Sequence, residues 1–194
     1  LALFPREGLV IKFVPLSELH LMIGIVNKMF KELEQVFAQA IQWPQRLHLV
    51  KEEYHHQFEG NECYNLLCRS DVLLDIIKEN AGETETHPAI PFARAFKLMG
   101  KMVKSCFGRN LEDRWENDVD EFCEAYLNLN INITSKFHIV KDHLKDFCRL
   151  HGCGLARYSE QSFEAVHADF ARYWDRHQIK DKTSQLYSQR LKTD

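Results

Sequence analysis

The chain has 194 residues, room for one domain or one and a half with a genuine hydrophobic core. Its 45% hydrophobic and 27% charged residues exclude a disordered or fibrous class and fit a globular one. The formal net charge of −3 excludes capture of polyanions by the bulk field, so any nucleic-acid surface has to be a local patch.

Leu9–Val14, "LVIKFV", is the one strand-like run, and it is short. Pro15 and Ser17 then open a predicted helix over 17–42, with Ser17 as N-cap. Its apolar stripe is Leu19, Ile23, Val26, Phe30, Leu33 and Phe37. The run "KEEYHH", 51–56, reads as a polar connection. Gly60-Asn61 interrupts the next segment, a helix resumes at Glu62, and Ser70-Asp71 marks a second cap before "VLLDIIKEN". Residues 81–89, "AGETETHPA", have loop composition.

A helix over 90–107 follows, with an unusual charge pattern. No acid occurs between Pro88 and Asn110, whereas Arg94, Lys97, Lys101 and Lys104 step by 3, 4 and 3 and share one face. Phe92, Phe96, Met99, Val103 and Cys106 take the other side. The next predicted helix, 112–129, is acidic: Glu112, Asp113, Glu116, Asp118, Asp120, Glu121 and Glu124. Two readings follow. Either the two helices neutralise each other, or the basic stripe tracks a phosphate backbone.

Ser135 is expected to cap a helix over 136–150, which Gly152 and Gly154 end. His138 and His143, five apart, lie in it. On a regular helix that spacing is about 140° of rotation, so both reach one metal only if the helix starts or bends there. Ser159 would cap a last strong helix, 160–177, with Phe163, Val166, Phe170 and Tyr173-Trp174 as its buried stripe. Glu160, Glu164 and His167 flank that stripe, where a carboxylate can be held stiffly enough to ligate a metal or else simply carry solvated charge. A polar tail, 178–194, completes the chain.

The expected fold is therefore all-α, with six to eight helices and no sheet. Its parts are a short extended lead-in (1–16), a helical region (17–135), a histidine-pair helix with a terminal Glu helix (136–177) and the tail. Six scattered cysteines with no CxxC point to reduced thiols in an intracellular compartment. No apolar run is long enough to span a membrane, no signal-peptide pattern opens the sequence, and the start at Leu1 suggests a piece of something longer.

The segment Phe137–Phe170, "FH-x4-H…F…G…G…SE…E…F", resembles the carboxyl-terminal part of the recombination-activating recombinases and their Transib-type transposase relatives. "LSELHLMIGIVNKMFKEL" is similar to the long helix that opens that family's helical insertion, and "FEGNECYNLL" to its Gly-Asn segment before a helix. The resemblance covers most of residues 15–175, with specific motifs in the last forty. It implies an RNase-H-like DDE transposase that cuts and transfers DNA strands with Mg2+ or Mn2+. Within it Glu164 would be the catalytic divalent-ion ligand, Glu160 an accessory acid, and His138 and His143 a zinc half-site. It further implies a nuclear protein acting on transposon ends, as a homodimer in one version. The chain departs from the pattern: the two strand-borne aspartates and the CxxC that completes the zinc site are missing. The isolated chain is therefore expected to be a fragment or domesticated remnant without nicking activity and with weak, incomplete zinc binding.

Two alternatives stand beside this one. The first is a non-catalytic helical module binding DNA or protein through Arg94, Lys97, Lys101 and Lys104. The second is an unrelated helical metallohydrolase using His138, His143, Glu160, Glu164 and His167, with Glu52, Glu53, His55 and His56 as its second ligand set.

Overall fold

The computed structural model describes residues 16–52, 56–81 and 86–158. The strand-like run Leu9–Val14, the helix expected over 160–177 with Glu160, Glu164 and His167, and the tail 178–194 lie outside these residues, as do Glu53 and His55. By contact clustering the chain divides into Leu1–Ser159 and Glu160–Asp194, and all described residues belong to the first unit.

Among the described residues there are eight α-helices and no strand: α1 Glu18–Val36, α2 Gln42–Arg46, α3 Gly60–Cys68, α4 Ser70–Ala81, α5 Ile90–Met102, α6 Trp115–Leu127, α7 Ser135–Asp142 and α8 Leu144–His151. The all-α expectation holds. No helix among them is long and apolar enough to cross a membrane.

Ser17 caps α1, accepting from the His20 N–H at 3.5 Å. Its buried face is broader than the predicted stripe and centred on Met22, Ile25, Val26, Met29, Phe30 and Leu33, while Leu19 and Ile23 are half-buried. The reason is that α3 and α7 both pack on α1, so it is covered from two sides. The helix predicted to reach residue 42 stops at Val36. Phe37 turns extended (φ −149°, ψ 91°) and buries its ring instead. A 3₁₀ turn, Ala38–Ile41, leads into α2, whose Pro44 sits in the first turn where no helical N–H bond is required. Trp43 is fully buried, donates Nε1–H to the Arg69 carbonyl at 3.0 Å and stands edge-on to Phe96 at 4.8 Å.

Helices α5 and α6 form the most extensive pair, with α3 and α4 packed on α5 and α7 closing against α6. Gly100 allows α5 to approach α3: a Cβ there would lie 3.0 Å from the Leu67 carbonyl oxygen. The last turn of the predicted 90–107 helix is a π turn, Val103–Phe107, in which only Lys104 faces outward. Helix α3 begins at Gly60 rather than Glu62, α6 runs 115–127 rather than 112–129, and Thr134, not Ser135, caps α7 by accepting from the Phe137 N–H at 3.2 Å. Ser70, expected as a cap, is the buried first residue of α4. Phe137 stacks on Tyr126 at 3.8 Å and meets Phe122 edge-on at 6.1 Å, which fixes α7 to α6. Gly152 takes the left-handed conformation (φ 61°) that ends α8, as its type and place predict.

All six cysteines are free thiols; Cys63, Cys106, Cys123 and Cys148 are buried. Burial pushes the thiols of Cys63, Cys123 and Cys148 up to about 12 and that of Cys106 higher still.

Candidate functional site

The expected helix 136–150 is broken at His143, which leaves helical geometry (φ −130°, ψ −24°) and separates α7 from α8. Phe137 and Val140 of α7 and Leu144, Phe147 and Cys148 of α8 are all buried. The break lets both short helices present an apolar face to the core. It also cancels the rotation that five residues of regular helix would impose. The rings of His138 and His143 stand 5.2 Å apart, centroid to centroid, at 90°.

His138 Nδ1 lies 2.7 Å from Asp142 Oδ2, one turn on. Asp142 is held below the usual carboxylate range, first by its hydrogen bond from Lys141 at 2.8 Å and then by the nearby His138. A carboxylate that accepts Nδ1–H orients the imidazole and leaves Nε2 as the lone-pair nitrogen. Both features suit a ligand pair, and the pair is open: the His138 side chain is 57% exposed. Among the described residues no group of three or more His, Cys, Asp or Glu side chains is placed to hold a metal ion. The described part thus contains at most half of a zinc site. Glu52 and His56, invoked for a second ligand set, lie in a tight turn closed by His56 N–H to Glu52 O at 2.9 Å and Glu52 N–H to Gln57 O at 2.7 Å.

Arg94, Lys97, Lys101 and Lys104 are all exposed on the outer face of α5 and its π turn. The mutual-neutralisation reading meets a specific geometry. Acids of α6 are engaged by α8, through Lys145 Nζ to Asp120 Oδ1 at 2.5 Å and the fork of Arg149 on Glu116. That fork holds the Glu116 carboxyl below its ordinary range. Of the basic stripe, only Lys101 reaches an acid, Glu121 at 4.0 Å, and Arg114 shares that acid at 3.5 Å. Arg94, Lys97 and Lys104 form no ion pair among the described residues. Lys97, Lys101 and Lys104 border a groove of about 380 Å³ between α5 and the α3–α4 corner, with Tyr64, Cys68 and Asp71 on its far wall.

The sequence gave no hint of a second basic feature, a cavity of about 590 Å³ between α1, the 51–57 connection and the start of α7. Lys28, Lys31, Lys51 and Lys136 line it. These come from three separate stretches, so no local pattern could reveal it.

Compared with protein-family models, curated proteins and solved structures, the chain matches none.

Proposed function

We propose that this chain is the helical part of a DDE-type DNA transposase or a domesticated descendant, in which the described helices support and hold DNA rather than cut it. The observation that carries the reading is the break at His143. A spacing of five would point the two histidines apart on a continuous helix; here their rings are 5.2 Å apart and one is oriented by a carboxylate. That arrangement suits the zinc half-site that the resemblance assigns to His138 and His143. Strand cleavage needs carboxylates converging on two ions, which the parent would complete with residues beyond this chain around Glu164.

The test is a Zn2+ titration of the purified chain followed by the histidine ring proton resonances. Resonances of His138 and His143 moving on one weak isotherm, and both losing their response in His138→Ala, support the reading. Independent isotherms, or no response from either ring, sink it.

A second reading, a non-catalytic helical module binding DNA through α5, is favoured by one observation: three of the four stripe cations lack an acidic partner among the described residues. Neutralising about four phosphates would give log K against log[salt] a slope of roughly −3.6. Changing Arg94, Lys97, Lys101 and Lys104 together to Gln is expected to abolish most of that slope. An unchanged slope would assign the stripe to solubility alone.

A further inference from the structure

We infer that the cavity between α1, the 51–57 connection and the first turn of α7 is a binding site for a small ligand carrying two or more phosphate groups. The inference rests on a surface separate from the α5 stripe and from the histidine pair, and it stands or falls independently of both.

Four lysines and a single carboxylate, Glu34, line the cavity. Counting Glu32 as well, which holds Lys28 at 2.5 Å from outside the lining, leaves an excess of two positive charges. Like charges gathered in a concavity with protein walls repel one another, and a multivalent anion relieves that repulsion. The volume, about 590 Å³, is in the range of small-ligand sites and exceeds what one inorganic phosphate fills.

Two of the lysines are positioned before any ligand arrives. Lys51 Nζ is held by both oxygens of Glu34 at 3.1 and 3.2 Å, and lies 4.7 Å from the centre of the Phe30 ring. Lys136 lies flat across α1 at Gly24. A Cβ at Gly24 would come within 2.0 Å of Lys136 Cδ and 2.5 Å of its Nζ, so the missing side chain is what admits this lysine. Lys31 and Lys136 form no ion pair among the described residues. Lys136 also belongs to the first turn of α7, whose Thr134 cap satisfies the Phe137 N–H and leaves the Ser135 and Lys136 N–H groups directed to the same side. Lysine ammonium groups are point-charge partners for phosphate oxygens. Asn27 and Gln57, also in the lining, add amide donors.

The experiment is isothermal titration of the full described chain with sodium pyrophosphate, against sodium chloride at matched ionic strength. Saturable one-to-one binding is expected for pyrophosphate and none for chloride. Lys31→Gln combined with Lys136→Gln should weaken binding at least tenfold. Gly24→Ala keeps every charge and improves helix propensity, yet it displaces Lys136. It should weaken binding about as much as Lys136→Gln while holding or raising the melting temperature, which separates a lost site from a lost fold. The quadruple Gln variant of the α5 stripe should bind pyrophosphate unchanged, so failure here is distinguishable from failure of the DNA reading. Heat of binding reproduced by salt alone, an unaltered affinity in both the double Gln and the Gly24→Ala variants, or a site that takes duplex DNA but is not competed by pyrophosphate would each overturn the assignment.

Discussion

Asn27→Ala is expected to be among the most damaging single changes in the described unit, although Asn27 itself is only half-buried. Its side chain joins two parts of the chain 31 residues apart: Oδ1 accepts the Phe58 N–H at 2.8 Å and Nδ2 donates to the Phe58 carbonyl at 2.9 Å. Nδ2 also donates to the Ile23 carbonyl at 2.9 Å. One amide thus satisfies both backbone groups of a residue whose side chain is 1% exposed and packs edge-on against Phe30 at 5.0 Å. Truncation leaves both Phe58 groups without that partner, at about 1–3 kcal/mol each. Partial water access lowers the sum, and we expect a loss of roughly 2–4 kcal/mol. At about 2–4 °C per kcal/mol for a chain of this size, the melting temperature should fall by roughly 5–15 °C. Urea unfolding followed by circular dichroism at 222 nm measures it, with Asn27→Asp as a second point. The aspartate keeps the acceptor for the Phe58 N–H but loses the donor to its carbonyl, so it too should destabilise. A change below about 0.5 kcal/mol for Asn27→Ala would show that water replaces the amide at no cost, and the argument from backbone satisfaction would be refuted.

Gly154→Ala should unfold the end of the unit, because a Cβ would sit 2.1 Å from the Gly108 carbonyl oxygen and 2.8 Å from that of Cys106, both backbone atoms. We expect a loss of about 2–3 kcal/mol or more in urea melts, against a milder effect for Gly100→Ala, whose nearest backbone contact is 3.0 Å. In native protein at pH 8 a thiol reagent should modify the exposed Cys68 and half-exposed Cys153 quickly, and the four buried cysteines only after denaturant is added. The raised thiols of Cys63, Cys123 and Cys148 make a linked forecast: their contribution is complete below the unfolded value near 9 and is lost as pH rises towards about 12. The urea midpoint should therefore fall between pH 9 and pH 11, and less so in a variant with these three changed to Ala. Finally, purified chain with Mg2+ or Mn2+ should leave supercoiled plasmid intact; nicking that Glu164→Gln abolishes would mean that a complete site is present in this chain.

The long-period elements were legible because their burial repeats every three to four residues over several turns. In α5 the exposed cations and the buried Phe92, Phe96 and Met99 fall where the pattern puts them. The breaks were less visible. Phe37 and His143 are neither glycine nor proline, and both leave the helix for tertiary reasons, to bury a ring in one case and to re-aim an apolar face in the other. Pro44, two residues into α2, was a local sign of a restart that the continuous stripe obscured. The histidine pair was readable as a question about a bend, which only the fold could answer. The lysine cavity was not readable at all, since residues 28, 31, 51 and 136 become neighbours only after α7 returns to α1.

The π turn at Val103–Phe107 bears on how the chain tolerates changes in its length. A π turn accommodates one residue more than an α turn in the same axial space. Four of its five side chains are buried, so the surplus residue is absorbed by the core rather than spilled into a loop. Deleting one residue here would let the segment relax to an ordinary α turn, but it would rotate everything after Met102 by about 100° relative to the preceding helix. Lys104 would leave the row formed by Arg94, Lys97 and Lys101, and the Ser105 carbonyl, which accepts the Glu112 N–H at 2.9 Å, would point elsewhere. A relative with a one-residue gap in this stretch would thus keep the α5–α6 hairpin and carry a three-membered basic row.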